Sequence, residues 1–201
     1  IIFVYATIPL KVSTNNGEML SAYKPFLINN CKLEDWEKDI LEIIREESFY
    51  FYPQYMTKIM NEGFASYVHS ELMQKLDISE DEFLEYSKIH ERVVQPGSNK
   101  LNINPYFLGF KMLHHIKDIW DKKYEEGDSD IDGWQKILNL VETEDDISFI
   151  RNYLTKELVE ELELFVYDIK EFPNGEQYLE IVSKNLDDVK ENLIKDMERI
   201  V

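Results

Sequence analysis

Apolar residues fall into helical spacing from Leu33 onward. Trp36, Ile40, Ile43, Ile44 and Phe49 recur along one stripe to about Tyr52. Glu34 and Asp35 precede them, where negative charge suits the start of a helix. Pro53 is expected to break or restart this run. A second helix is predicted from about Tyr55 to Leu76. Ser79 with Glu82 three positions on reads as a capping box, opening a third helix that reaches about Val93. Gln95 to Asn99 reads as a loop. Asn104 followed by Pro105 then reads as the start of a fourth helix, with Leu108, Met112, Ile116 and Trp120 on its inner face. Lys122 to Asp132 is expected to be a charged, mobile connector, and Ser148 to Val159 is predicted to be helical in pieces.

The period then changes. Leu162 to Lys170 alternates, Phe172-Pro173-Asn174-Gly175 reads as a turn, and Gln177 to Ser183 is a second β-prone run. Asn-Gly between two such runs predicts a hairpin. Asn185 to Ile200 reads as an amphipathic helix. The fold class that follows is mainly α: a helical body, then a small α+β module made of the hairpin and the terminal helix. The expected divisions are an N-terminal extension over 1–32 whose boundary need not be native, a helical core over 33–145, and the α+β module over 146–201. Ile2-Phe3-Val4-Tyr5 is expected to be a strand or a segment that packs on something else.

Composition narrows the function classes. A hydrophobic fraction of 44% over 201 residues supports a sizeable core, and 13% aromatic residues argue against a disordered chain. Forty acids against 22 Lys and Arg give a formal charge of −18, which opposes binding to a phosphate backbone or to anionic lipid. Nucleic acid and membrane insertion are therefore not expected. The excess acid reads first as a solvated surface. Cys31 is the single cysteine, so no intrachain disulfide is possible and a reducing, cytoplasmic setting is expected. Ile1 to Leu10 is apolar, too short to span a bilayer, and lacks the basic region of a signal peptide. The absence of an initiator Met suggests a fragment.

Candidate chemistry centres on Asn61-Glu62-Gly63-Phe64-Ala65-Ser66-Tyr67-Val68-His69. Burying an unpaired carboxylate is costly, and Gly63 weakens a helix by about 1 kcal/mol against Ala, so neither Glu62 nor Gly63 suits an ordinary core helix. Glu62 and His69 lie seven positions apart, close to two turns, and so share a face. A second group is Glu42, Glu46 and Glu47, of which Glu42 and Glu46 share a face. A third is His114-His115, whose side chains diverge so that at most one faces inward. His90-Glu91-Arg92-Val93-Val94 begins like HExxH but has no second histidine. No Gly-x-Ser-x-Gly elbow and no glycine-rich phosphate loop occurs, and Cys31 sits in an ordinary Asn-Asn-Cys-Lys context.

Asn61-Glu62-Gly63-Phe64-Ala65 resembles the second zinc helix of the gluzincin metallopeptidases, where the Glu is the third zinc ligand. With Glu62 and His69 alone, zinc would lack the three protein ligands that a catalytic site uses. The bland alternative is a buried pair, Glu62 with His69 or Arg45, that only fixes helix packing.

A broader resemblance runs in order from about residue 33 to the C-terminus. It is carried by Leu33-Glu34-Asp35-Trp36-Glu37-Lys38-Asp39-Ile40-Leu41, by Arg45-Glu46-Glu47 with Tyr50-Phe51-Tyr52-Pro53-Gln54, and by Thr57 to Gly63 with His69. Val94-Gln95-Pro96, Asn102 and Asn104-Pro105-Tyr106 with Leu108-Gly109, and Asp146 to Thr155 continue it. On these segments the chain resembles the C-terminal half of the stage V sporulation protein R family; Phe64 and Val68 stand where that family usually has Trp.

The resemblance implies a cytoplasmic bacterial protein tied to spore-cortex formation in spore formers. It also implies a polypeptide about twice as long, whose N-terminal half carries a His-x-x-x-His segment. That missing half is then the first expected partner. Its histidines would complete a site for a divalent metal such as zinc, with Glu62 as ligand, His69 as ligand or supporting group, and Glu46 or Glu47 as base. The sharp expectation is half of a metal-dependent hydrolase. The competing one is a non-enzymatic regulatory or assembly protein whose C-terminal module docks a protein partner.

Overall fold

A computed structural model describes residues 30–97 and 100–200. The strand expected at Ile2 to Tyr5 and the end of the expected loop at Ser98-Asn99 lie outside the described residues. The elements are α1 (Asp35–Met56), α2 (Lys58–Lys75), α3 (Glu80–Val93), α4 (Pro105–Glu126), α5 (Gly133–Thr143), α6 (Asp146–Tyr153), α7 (Lys156–Glu161), β1 (Val166–Glu171), β2 (Gln177–Ser183) and α8 (Leu186–Ile200). The protein is mainly α, with a two-stranded antiparallel hairpin followed by a terminal helix. Among the described residues no helix is long and apolar enough to cross a membrane.

The chain divides into two compact units, one holding α1 through Tyr52 together with the last residues from Lys195, the other running Pro53–Ile194. The helix α1 continues through Pro53 rather than stopping there. The interruption falls instead at Thr57, whose hydroxyl turns back to donate to the Pro53 carbonyl at 2.8 Å. Trp36, Ile40 and Ile43, the periodic residues of this helix, are exposed.

The second unit is organised on α4, which packs against α2 on one side and α5 on another. Its start is the one the sequence announces: the Asn104 side chain accepts from Tyr106 N at 3.0 Å, and Pro105 is the first helical residue. The Asn104 amide also donates to the Val93 and Gln95 carbonyls, tying the end of α3 to the start of α4. Phe107, Leu108, Met112, Leu113 and Ile116 are buried along α4, while Trp120 is half-buried beneath the Lys123 and Lys136 ammonium groups. The expected connector from Lys122 is helical to Glu126, and the chain leaves the helix at Gly127 with φ 80, a conformation that favours glycine.

α5 then begins at Gly133, where a Cβ would strike the Lys117 backbone of α4. The Gly133 N–H donates to Asp121 Oδ1 at 2.8 Å, and Lys117 pairs with the other carboxylate oxygen at 2.6 Å. The Ser79–Glu82 capping box opens α3 as expected, and a second box, Asp145 with Ser148, opens α6. In the hairpin, Tyr167 faces Ile181 and Ile169 faces Leu179, so one side of the ribbon is apolar. The other side carries Lys170 with Asp168 at 2.9 Å and Glu180 at 4.0 Å.

Candidate functional site

The helix carrying Asn61-Glu62-Gly63 is held from two sides. Its first amides are not capped by Thr57, which makes no side-chain capping bond. Asp146 of α6 does this instead: its carboxylate accepts from Ile59 N at 2.7 Å and Met60 N at 2.8 Å. Asp146 is fully buried, and burial pushes its carboxyl up to about 6, partly offset by the backbone N–H groups that favour the charged form. Six positions of α2 are buried: Ile59, Met60, Gly63, Ser66, Tyr67 and Ser70.

Gly63 has its explanation in packing. A Cβ there would come within 2.5 Å of the Gly109 Cα and carbonyl carbon, and one on Gly109 would strike the Ile59 carbonyl. The two glycines let the backbones of α2 and α4 touch, and this close crossing sets Glu62 beside the start of α4. Glu62 is half-buried and accepts a hydrogen bond from the Tyr106 phenol, which raises the phenol's pKa and keeps it protonated. The partner is therefore Tyr106, which lies 44 positions beyond Glu62 and gives no signal in the spacing around it.

His69, two turns further along, is exposed and meets α3 instead. Its ring lies 5.1 Å from Tyr86 and 6.5 Å from His90, centroid to centroid. Glu62 and His69 thus share a helix face but have different neighbours. The histidine of the truncated HExxH-like segment is the one that His69 meets. Tyr86 and His90 sit four apart on α3, so their common face is readable from spacing once α3 is placed beside α2.

A seam of rings continues inward from there. His90 stands 5.1 Å from Phe110, Phe110 stands 4.4 Å from His114, and His114 stands 4.8 Å from Tyr67. Four polar atoms in this seam are buried without a hydrogen-bond partner among the described residues: Tyr67 Oη, Tyr86 Oη, His90 Nε2 and His114 Nε2. Burial holds the His90 and His114 imidazoles below the usual histidine range and raises the Tyr67 phenol. These groups are uncharged near neutral pH. His115 looks the other way and meets the Thr155 hydroxyl at 2.9 Å. Both histidines of the pair are half-buried, because α4 is packed on more than one side, so the expectation that only one could face inward does not hold.

Glu46 and Glu47 are exposed on α1, within the first unit. Cys31 is free and exposed. Among the described residues no three His, Cys, Asp or Glu side chains are grouped to hold a metal ion. The residues present therefore do not fit a complete metal centre built from those ligand types.

Comparison with known proteins agrees with the motif pattern. No solved structure gives a significant match. The chain is 33% identical over 189 residues to "Uncharacterized protein YcgB" of Escherichia coli (strain K12), a match covering 80% of this chain and 37% of that protein. The chain therefore spans little more than a third of the length of this curated relative. The family model described as "SpoVR like protein" matches residues 19–201, nearly the whole sequence, and the chain belongs to the SpoVR-like protein family.

Proposed function

We propose that this chain acts as an assembly module of a longer SpoVR-like protein tied to spore-cortex formation in spore-forming bacteria. Its hairpin docks the remainder of the polypeptide. The observation that carries this reading is the apolar side of the ribbon. Ile169, Leu179 and Ile181 share that side and are 48%, 40% and 44% exposed. An isolated two-stranded ribbon is marginal in water, and exposed β-prone apolar faces are avoided unless something covers them. A relative more than twice as long offers such a cover. Added strands or a packed helix would satisfy both the face and the open edges.

Hydrogen exchange tests this. The amides of Ile169 and Ile181 should exchange quickly in this chain and slowly in the longer polypeptide. An Ile181→Lys variant should leave the melting temperature of the chain nearly unchanged while abolishing binding to the complementary fragment. Equal exchange in both contexts would overturn the assembly reading.

A second reading, half of a metal-dependent hydrolase in the same cytoplasmic protein, is favoured by the exposure of His69 and the carboxylate of Glu62 at the α2–α4 crossing. Here Glu62 and His69 are metal ligands, and the remaining ligands come from outside this chain. Such a metal, zinc in the first instance, would supply Lewis-acid activation of water. Elemental analysis of the longer protein decides: stoichiometric metal lost in Glu62→Gln supports the hydrolase, and its absence from the wild type excludes it.

A further inference from the structure

The exposed apolar residues of α1 keep a period of their own. Trp36, Ile40, Ile43 and Tyr50 are between 42% and 73% exposed. With Glu47, also exposed, they fall at successive spacings of four, three, four and three. That alternation keeps side chains in line along about 21 Å of helix, as in the seam between two packed helices. We infer that this stripe is the contact surface for one amphipathic helix supplied by the remainder of the longer polypeptide. The incoming helix carries an apolar face with a Lys or Arg opposite Glu47.

Spacing, charge and length choose this occupant. The 4-3 repeat fits the ridges of a second helix, whereas a strand would need side chains in register every second residue. Trp36 and Tyr50, near the two ends of the stripe, are the kind of large rings that anchor an interface. Charge then separates a foreign helix from a second copy. In register, a second copy would set Glu47 against Glu47 inside the seam, and burying like charges together is costly. Asp39 and Glu46 flank the stripe, and α1 as a whole carries six acids against Lys38 and Arg45. A helix bearing Lys or Arg satisfies these groups. The E. coli relative supplies the length, since the match covers only 37% of it. The hairpin takes no part in this contact, which shares with the assembly reading only the longer polypeptide itself.

The test replaces Ile43 in the longer polypeptide by the photoreactive residue p-benzoylphenylalanine and identifies the cross-linked peptide by mass spectrometry. The expected result is an intramolecular cross-link to a segment outside the 201 residues of this chain, with helical apolar spacing and a Lys or Arg. The same probe at Arg45, on the opposite side of α1, should give none. Ile43→Asp should lower the melting temperature of the longer polypeptide by several degrees and leave that of this chain unchanged. Glu47→Lys should act in the same direction, and being at an exposed position it keeps the test open if Ile43→Asp fails to fold. Hydrogen exchange at Ile181 on the same samples reports the ribbon separately, so failure of the hairpin contact and failure of the α1 contact are told apart. No cross-link from position 43, one confined to this chain, or equal cross-linking from position 45 would overturn the inference. So would a wild-type chain that sediments as a dimer broken by Ile43→Asp, which would assign the stripe to a second copy.

Discussion

Glu62 owes its position to a residue with no side chain. Gly63 and Gly109 let two helix backbones touch, and a methyl group on either would meet backbone atoms that have nowhere to move. Gly63→Ala should therefore destabilise the protein by about 1–3 kcal/mol despite the better helix propensity of alanine, read as a lower melting temperature. Two titratable residues, Asp146 buried and His114 half-buried, give opposite pH signatures. The Asp146 carboxyl is raised from 3.8 to about 6, so between those values the folded state holds more protons than the unfolded one. Its contribution is present at low pH and falls as pH rises from about 4 to 6, by about 3 kcal/mol in all. Asp146→Asn should remove that slope from the pH dependence of unfolding. The cost is about 1–3 kcal/mol at low pH, because the asparagine has one oxygen where two N–H groups need acceptors. His114 is held below 6.5 chiefly by burial, with Glu71 and Asp118 opposing and Lys111 and Lys117 assisting. Here the unfolded state binds more protons, so stability is lost as pH falls below about 6.5. His114→Phe, which keeps a ring between Phe110 and Tyr67, should flatten the loss of stability between pH 7 and 5.

Elements with a chemical start signal were legible in the sequence, and elements started by tertiary contact were not. Ser79 with Glu82, Asn104 with Pro105, and Asn174-Gly175 place α3, α4 and the hairpin turn because each signal satisfies backbone groups locally. α5 carries a glycine at its first position, a poor helix residue, because α4 passes too close for anything larger. That requirement is invisible without the partner helix. The continuation of α1 through Pro53 was equally hidden: proline weakens a helix at one hydrogen bond, and the surrounding run was enough to carry on. Asn104 does more than begin α4, since its amide also holds the last turn of α3. Asn104→Ala should cost about 1–2 kcal/mol, and thermal melting of the variant checks it. Asn104→Asp, which keeps the cap but loses both amide donors, should fall between the two.

At the scale of the whole molecule, the family and the helical class could be read from the chain, but the neighbours of the candidate site residues could not. Helical periodicity puts Glu62 and His69 on one stripe, yet it is silent about which helix lies beside each end of that stripe. Tyr106 and Tyr86 with His90 come from segments 44 positions beyond Glu62 and 17 and 21 positions beyond His69. Spacing along one helix carries no information about such pairings. Asp146 is the extreme case. It reads as one more acid in an acidic chain, yet it takes up the first amides of a helix 87 residues earlier. During synthesis α2 therefore leaves the ribosome well before the residue that completes its beginning. A nascent chain ending short of Asp146 would carry that helix with its opening turn unfinished, and a wait of this length slows the closure of such non-local contacts. The order of translation thus leaves the start of α2 without its acceptors until α6 has been made.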